Sequence, residues 1–216
     1  AKMLNPKIKV IGVEPAAAAS MTAAFEKGEP VTLPSANTIA DGTAVKRVGE
    51  TIFPYCKENI HKIITVDDNE LIGAFLDMVE NHKMIVENSG LLPVAALSHL
   101  DLKDKKAVVV LSGGNMDVIT MSSIVQHGLI QKDIIFSVSV LLPDKAGELV
   151  KVASIIAKEK GNVIKLEHNQ FVSINRINAV ELRVTMEAYG TEHKLSILKA
   201  LEEAGFEPKV VDTKLY

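Results

Sequence analysis

Apolar and polar residues alternate along the chain in two different regimes. In the first 130 residues, short continuous apolar runs are separated by stretches of helical periodicity. Ile8–Val13, between Pro6 and Pro15, reads as a buried strand. A helix follows over Ala16–Lys27, closed by Gly28, and residues 29–42, with two prolines and Gly42, read as a loop. A short helix is expected within Val45–Tyr55, a strand over Lys62–Val66, and a helix over Glu70–Glu80 with Asp67 to Glu70 at its start, where the helix dipole favours acids. Val86–Leu100 reads as a further helix. Lys106–Leu111 reads as a buried strand that runs into Ser112-Gly113-Gly114-Asn115. Strand and helix in alternation predict an α/β unit with a parallel sheet.

The regime changes near Gly128–Asp133. Phe136, Val138, Val140 and Leu142 alternate with Ser137, Ser139 and Leu141, as a half-buried strand requires. After the turn Pro143–Gly147, the residues Leu149, Val152, Ala153 and Ile156 recur at helical spacing up to Gly161. Strands are expected over Asn162–Val172 and Val180–Met186, joined by a turn at 173–176. A helix from Thr191 to Gly205 and a strand over Phe206–Asp212 complete the series. Strand, helix, strand, strand, helix, strand is the ferredoxin-like βαββαβ plan. The domain boundaries predicted are 1–130 and 134–216.

Composition narrows the function classes. The net charge of −3 offers no basic surface for nucleic acid or anionic membrane, and aromatic residues are too few, at 4%, for base stacking. No apolar run approaches the roughly 20 residues that a spanning helix needs. The single cysteine, Cys56, excludes an internal disulfide and a cysteine-rich zinc site, and fits a reducing compartment such as the cytoplasm. The six histidines fall into no metal-ligand spacing.

Ser112-Gly113-Gly114-Asn115 is the most informative tetrapeptide. It follows a predicted strand, where α/β sheets place their ligands, and its glycines allow backbone to approach one. A plain strand-to-helix turn has the same local composition. Four motifs in order add specificity: Val13-Glu14-Pro15, Thr38-Ile39-Ala40-Asp41-Gly42, Val86-Glu87-Asn88-Ser89-Gly90 and Val110-Leu111-Ser112-Gly113-Gly114-Asn115. Together they resemble the fold-type II pyridoxal-phosphate enzymes, specifically the threonine and serine dehydratases and serine racemase, over residues 1–130. The resemblance implies that Ser112 hydrogen-bonds the pyridine nitrogen of pyridoxal 5'-phosphate. Gly113 and Gly114 would pack against its ring, and Glu87 would lie beside ring and substrate. A neutral hydroxyl at the ring nitrogen moderates the electron sink and suits β-elimination. The alternative reading of Glu87 is a helix-capping acid.

The resemblance also implies a cation held by Glu14 and the Ala18 carbonyl. Ser20 stands where the family has a carboxylate, and a hydroxyl is a poorer ligand for a hard cation, so a monovalent ion or none fits as well. The family's lysine segment and its run of four glycines have no counterpart in these residues; Lys2, Lys7 and Lys9 do not match. The expectation is therefore a C-terminal part of a catalytic domain, inactive alone.

The second regime resembles the ACT domains, regulatory modules that bind amino acids. The resemblance puts an effector near Asp144, Lys145, Ala146 and Gly147, where a short loop feeds a helix N-terminus, with Asn162 contributing. An ordinary turn would look the same. The combined expectation is a threonine dehydratase, converting threonine or serine by β-elimination, sensing a branched-chain amino acid, and forming a homo-oligomer. The alternative is a non-catalytic, dimerising, amino-acid-binding regulatory fragment.

Overall fold

A computed structural model gives the fold, with residues 1–170 and 180–214 described. The chain divides into two compact units, Ala1–Val125 and Gln126 onward.

In the first unit, β1 (Ile11–Pro15) and β2 (Lys62–Val66) pair in parallel, with Ile11 opposite Lys62 and Pro15 opposite Val66. Parallel strands need a long crossover. Here it holds α1 (Ser20–Lys27) and α2 (Ile52–Asn59). Phe25 and Phe53 meet edge to face between these helices, 5.9 Å apart. The helix expected from Ala16 begins later, because Ala16–Ala18 forms a 3-10 turn and Ala19 breaks it with ψ 57°. The helix α3 (Asp68–Asp77) starts on a capping box: Asp67 accepts from the Glu70 amide and Glu70 from the Asp67 amide. Then α4 (Asn88–Ala95) carries Pro93 and passes into a 3-10 turn over Ala96–His99. The core joins Ile64 and Val66 of β2 to Leu71 and Phe75 of α3 and to Leu91 and Leu92 of α4.

One expected strand is absent. Lys106–Leu111 has no regular secondary structure, and Val108 and Val110 are 91% and 70% exposed. The apolar residues are there, but a strand also needs a neighbour to pair its backbone N–H and C=O groups. The β1–β2 sheet stops at two strands among the described residues. The chain regains regularity at α5 (Val118–Gln131).

The second unit is a four-stranded antiparallel sheet of β3 (Ile135–Leu142), β4 (Asn162–Asn169), β5 (Val180–Glu187) and β6 (Lys209–Val211), in the order β4-β5-β3-β6. Two helices, α6 (Glu148–Lys158) and α7 (Thr191–Glu203), complete the βαββαβ sequence. Strand alternation sends Val138, Val140, Leu182 and Val184 to one face, where Val152 and Ile156 of α6 and Ile197 and Leu201 of α7 bury them. On the other face Ser137 and Thr185, both buried, share a hydrogen bond of 2.8 Å. The turn expected at 173–176, and the end of the strand expected to reach Val172, lie outside the described residues. No helix among the described residues is long and apolar enough to cross a membrane.

Candidate functional site

Three of the four motifs meet at the first turn of α4. Glu87 is its N-cap residue, with extended backbone, and its side chain makes no capping bond. The Ser112–Gly114 stretch lies directly against this turn. The Glu87 N–H donates to the Gly113 carbonyl at 3.5 Å, a long bond. A Cβ on Gly113 would collide with the Glu87 carboxyl group, and Gly113 also has φ +77°, a region that favours glycine. A Cβ on Gly90 would collide with the Ser112 carbonyl. The two glycines thus let the loop sit on the helix.

The Thr38–Gly42 motif reaches the same turn by a different route. A Cβ on Gly42 would lie 2.9 Å from Ser89 Oγ. Two side chains pin this loop. Asn88, only 7% exposed, donates from Nδ2 to the Ile39 carbonyl at 2.9 Å. Asp68, in the first turn of α3, accepts from Thr38 Oγ1 at 2.5 Å and from the Ile39 amide at 3.2 Å. Asn88 and Asp68 were not singled out by sequence pattern, because a buried amide bonded 49 residues away leaves no local signature.

The fourth motif does different work. Both oxygens of Glu14 are engaged at the start of α1, accepting from the Met21 amide at 2.7 Å and from the Thr22 amide and hydroxyl at 2.8 Å each. An acid at a helix N-terminus satisfies amides that have no partner within the helix. Glu14 thus caps α1, and Ala18 beside it is buried in the 3-10 turn. Among the described residues no group of three or more His, Cys, Asp or Glu could hold a metal.

The groups at the α4 turn suit the ring side of pyridoxal phosphate. Ser89 Oγ is buried without a partner. Ser112 is exposed on the glycine loop, and Glu87 places a carboxyl beside it. Immediately downstream, Asp117 accepts from the amides of Ile119 and Thr120 and from the Thr120 hydroxyl, so its pKa is held below the ordinary value.

In the second unit, the expected effector residues separate. Asp144, Lys145, Ala146 and Gly147 line a hollow of about 290 Å³ together with His168 and Gln170 from the far end of β4. Asn162 is at the other end of that strand, donating to Glu187 at 3.2 Å. Seven residue-to-residue steps of extended chain, about 23 Å, separate Asn162 from Asn169. The reason is topological: α6 carries the chain to the opposite end of the sheet before β4 begins. Asn162 does not belong with the loop.

Two carboxylates of this unit have lowered pKa values. Asp133 is held down by the hydrogen bond from Lys194 Nζ (2.7 Å), helped by Thr191. Glu181 is held down first by Ser139 and then by Asn169 and Arg183.

The family model described as pyridoxal-phosphate dependent enzyme matches residues 1–113, ending at the glycine that packs on Glu87. L-threonine ammonia-lyase of Geobacter sulfurreducens is 34% identical over 94% of this chain and 51% of its own length. The enzyme of the same name from Thermotoga maritima is 31% identical over 97% of this chain and 53% of its own length. The chain spans about half the length of these curated relatives. Among solved structures, the processed form of threonine deaminase isoform 2 from Solanum lycopersicum superposes with a TM-score of 0.52 at 32% identity, over 58% of this chain and 38% of that one. Maize serine racemase gives 0.52 at 31% identity, over 58% and 42%. The family match covers more than half of the chain and takes in Gly42, Glu87 and Ser112–Gly113, which converge on α4: the chain belongs to the pyridoxal-phosphate-dependent enzymes.

Proposed function

We propose that the chain contributes the ring-nitrogen side of the active site of a threonine ammonia-lyase, which converts threonine to 2-oxobutanoate and ammonia. The observation that carries this reading is the convergence of Gly42, Glu87 and Ser112–Gly113 on one helix turn. Pyridoxal phosphate supplies the electron sink for loss of the β-hydroxyl. Ser112 Oγ would hold the ring nitrogen through a neutral hydrogen bond, and Gly113 and Gly114 would let the loop lie low against the ring. The Glu87 carboxyl, beside Gly113, would hold a proton near the reacting face. The lysine that the reaction needs is not among these site residues.

The second unit is read as an ACT-like regulatory module. Its βαββαβ order and its hollow at Asp144–Gly147 support binding of a branched-chain amino acid effector there, and homo-oligomer formation. A non-catalytic, dimerising regulatory role is the second reading, favoured by the closed core of this unit.

The test is cofactor binding followed by absorbance, with and without an added upstream segment of a threonine ammonia-lyase. Bound cofactor and threonine turnover are expected only with the segment. With it, Ser112→Ala should weaken cofactor binding about tenfold, the loss of one hydrogen bond to a buried group. Unchanged binding in Ser112→Ala sinks the catalytic reading.

A further inference from the structure

The side chains that pin the Thr38–Gly42 loop are ones that local structure does not need where they stand. The start of α3 holds three acids, Asp67, Asp68 and Glu70, and Asp67 and Glu70 complete the capping box between them. Asp68 is not needed for that cap, and its carboxylate turns to the loop instead, accepting from Thr38 Oγ1 and from the Ile39 amide. At α4 the local cap is missing altogether. An N-cap side chain that bonds its own helix stabilises it, yet Glu87 makes no such bond, and Asn88 after it directs its amide to the Ile39 carbonyl. A position that forgoes local stability answers to a demand from elsewhere. Ile39 is thereby held by both of its backbone groups, the N–H from α3 and the C=O from α4. The loop beyond it is closed on itself. The Ala40 amide donates to Thr38 Oγ1 at 3.2 Å, and the Ala40 carbonyl accepts from the amide and the hydroxyl of Thr43 at 3.0 and 2.9 Å. Ala40 itself is fully buried, and Gly42 is set down on Ser89.

We infer that Asp68 and Asn88 are positioning residues of the site at the α4 turn. By holding Ile39 between α3 and α4, they fix the height of Gly42 over Ser89. They also fix the backbone of Glu87, next to Asn88 in the chain, and so the direction in which its carboxyl meets Gly113. Both act through the backbone that they hold. The inference rests on the catalytic reading proposed above for the reaction that the two residues serve, and not for the clamp itself. A purely structural role and a positioning role differ in what they predict. A structural clamp lowers the stability of the whole unit when it is removed. A positioning clamp loosens the α4 turn first. Its loss displaces a group that acts during the reaction, which lowers kcat while KM is nearly kept.

Two variants remove the clamp with little change of shape. Thr38→Val deletes the hydroxyl that bonds Asp68, and Asn88→Asp replaces the donor facing the Ile39 carbonyl by an acceptor. Thr38→Ser keeps the hydroxyl and serves as the control. Hydrogen exchange of the full chain is read at the amides of Glu87 and Leu91, which bond the carbonyls of Gly113 and Glu87, and is compared with the amides of β2. Exchange at Glu87 and Leu91 should be about tenfold faster in Thr38→Val and Asn88→Asp, with β2 unchanged and Thr38→Ser like the unsubstituted chain. Unchanged exchange at Glu87 and Leu91 overturns the inference. An equal acceleration throughout β2 overturns it too, because it marks a general loss of stability. Threonine turnover by the assembly with the upstream segment is the second readout. There kcat should fall about tenfold in both variants, with KM within about twofold and cofactor absorbance retained. Lost cofactor absorbance, or a change confined to KM, removes the positioning role. An unsubstituted assembly that neither binds cofactor nor turns over threonine sinks the catalytic reading alone, and the exchange result then decides on the clamp.

Discussion

Two valine-rich segments of nearly equal hydrophobicity meet opposite fates. Phe136–Leu142 is the centre of a closed core, with Val138 and Val140 fully buried. Lys106–Leu111, with three consecutive valines, lies bare and irregular. The difference is not in the side chains. In the second unit β3 has a neighbour on each flank, β5 along its whole length and β6 over Ser137–Ser139, and two helices cover its apolar face. In the first unit nothing among the described residues offers 106–111 a ladder. Hydrophobic pattern states what a segment can bury; whether it does so depends on partners far away in sequence.

The comparison can be broken first at the closed core. Leu182→Ala should cost about 3 kcal/mol, the usual range for a large-to-small change at a fully buried site, read as a lower denaturation midpoint by circular dichroism. A cost under about 1 kcal/mol would mean that the second unit is less tightly packed than its burial indicates. At the candidate site, Gly113→Ala meets both the Glu87 carboxyl and a left-handed backbone. It should cost about 1–3 kcal/mol locally, seen as faster hydrogen exchange around Glu87–Leu91. Unchanged exchange would separate the loop from the helix turn.

A smaller effect is expected where α7 is fastened to the start of β3. Lys194 Nζ bonds Asp133 and lies 5.6 Å from the centre of the Phe136 ring, with both charged side chains largely covered. Lys194→Met should cost about 1 kcal/mol. Because the Asp133 pKa is depressed on folding, its stabilisation is present above the unfolded value and is lost as pH falls through the folded one. The wild type should therefore lose more stability than Asp133→Asn between neutral pH and the acid range below the ordinary Asp pKa. Equal losses would remove Asp133 from the account. The smallest effect belongs to the bare segment: Val110→Ser should change stability by less than about 0.5 kcal/mol, as for an exposed position. A larger loss would show that the segment is covered after all.

Much of this was legible in the chain. The alternation over Phe136–Leu142 and Val180–Met186, with the helical spacings between and after, is enough to fix a half-covered antiparallel sheet, because each of its partners lies in the same short stretch. The meeting of Glu87 with Ser112–Gly113 was legible only through the ordered motifs. Neither glycine says locally what it will touch. The capping of α1 by Glu14 was not legible, because an acid after a strand looks alike whether it faces a cation or the amides of the next helix. Asn162 was misplaced for want of the sheet's direction. The partners of Asn88 and Asp68 left no trace, since each depends on distances between segments that no periodicity encodes.

The bare run at 106–111 has a consequence in the test tube. Ala107-Val108-Val109-Val110-Leu111 is uncharged, β-branched and free of proline, the composition that stacks in register into dry cross-β interfaces. Lys105 and Lys106 guard its upstream end, but downstream no charge appears before Asp117. Fibril growth at high protein concentration, nucleated on this segment and followed by dye binding, should be slowed most by a charge introduced on its unguarded side.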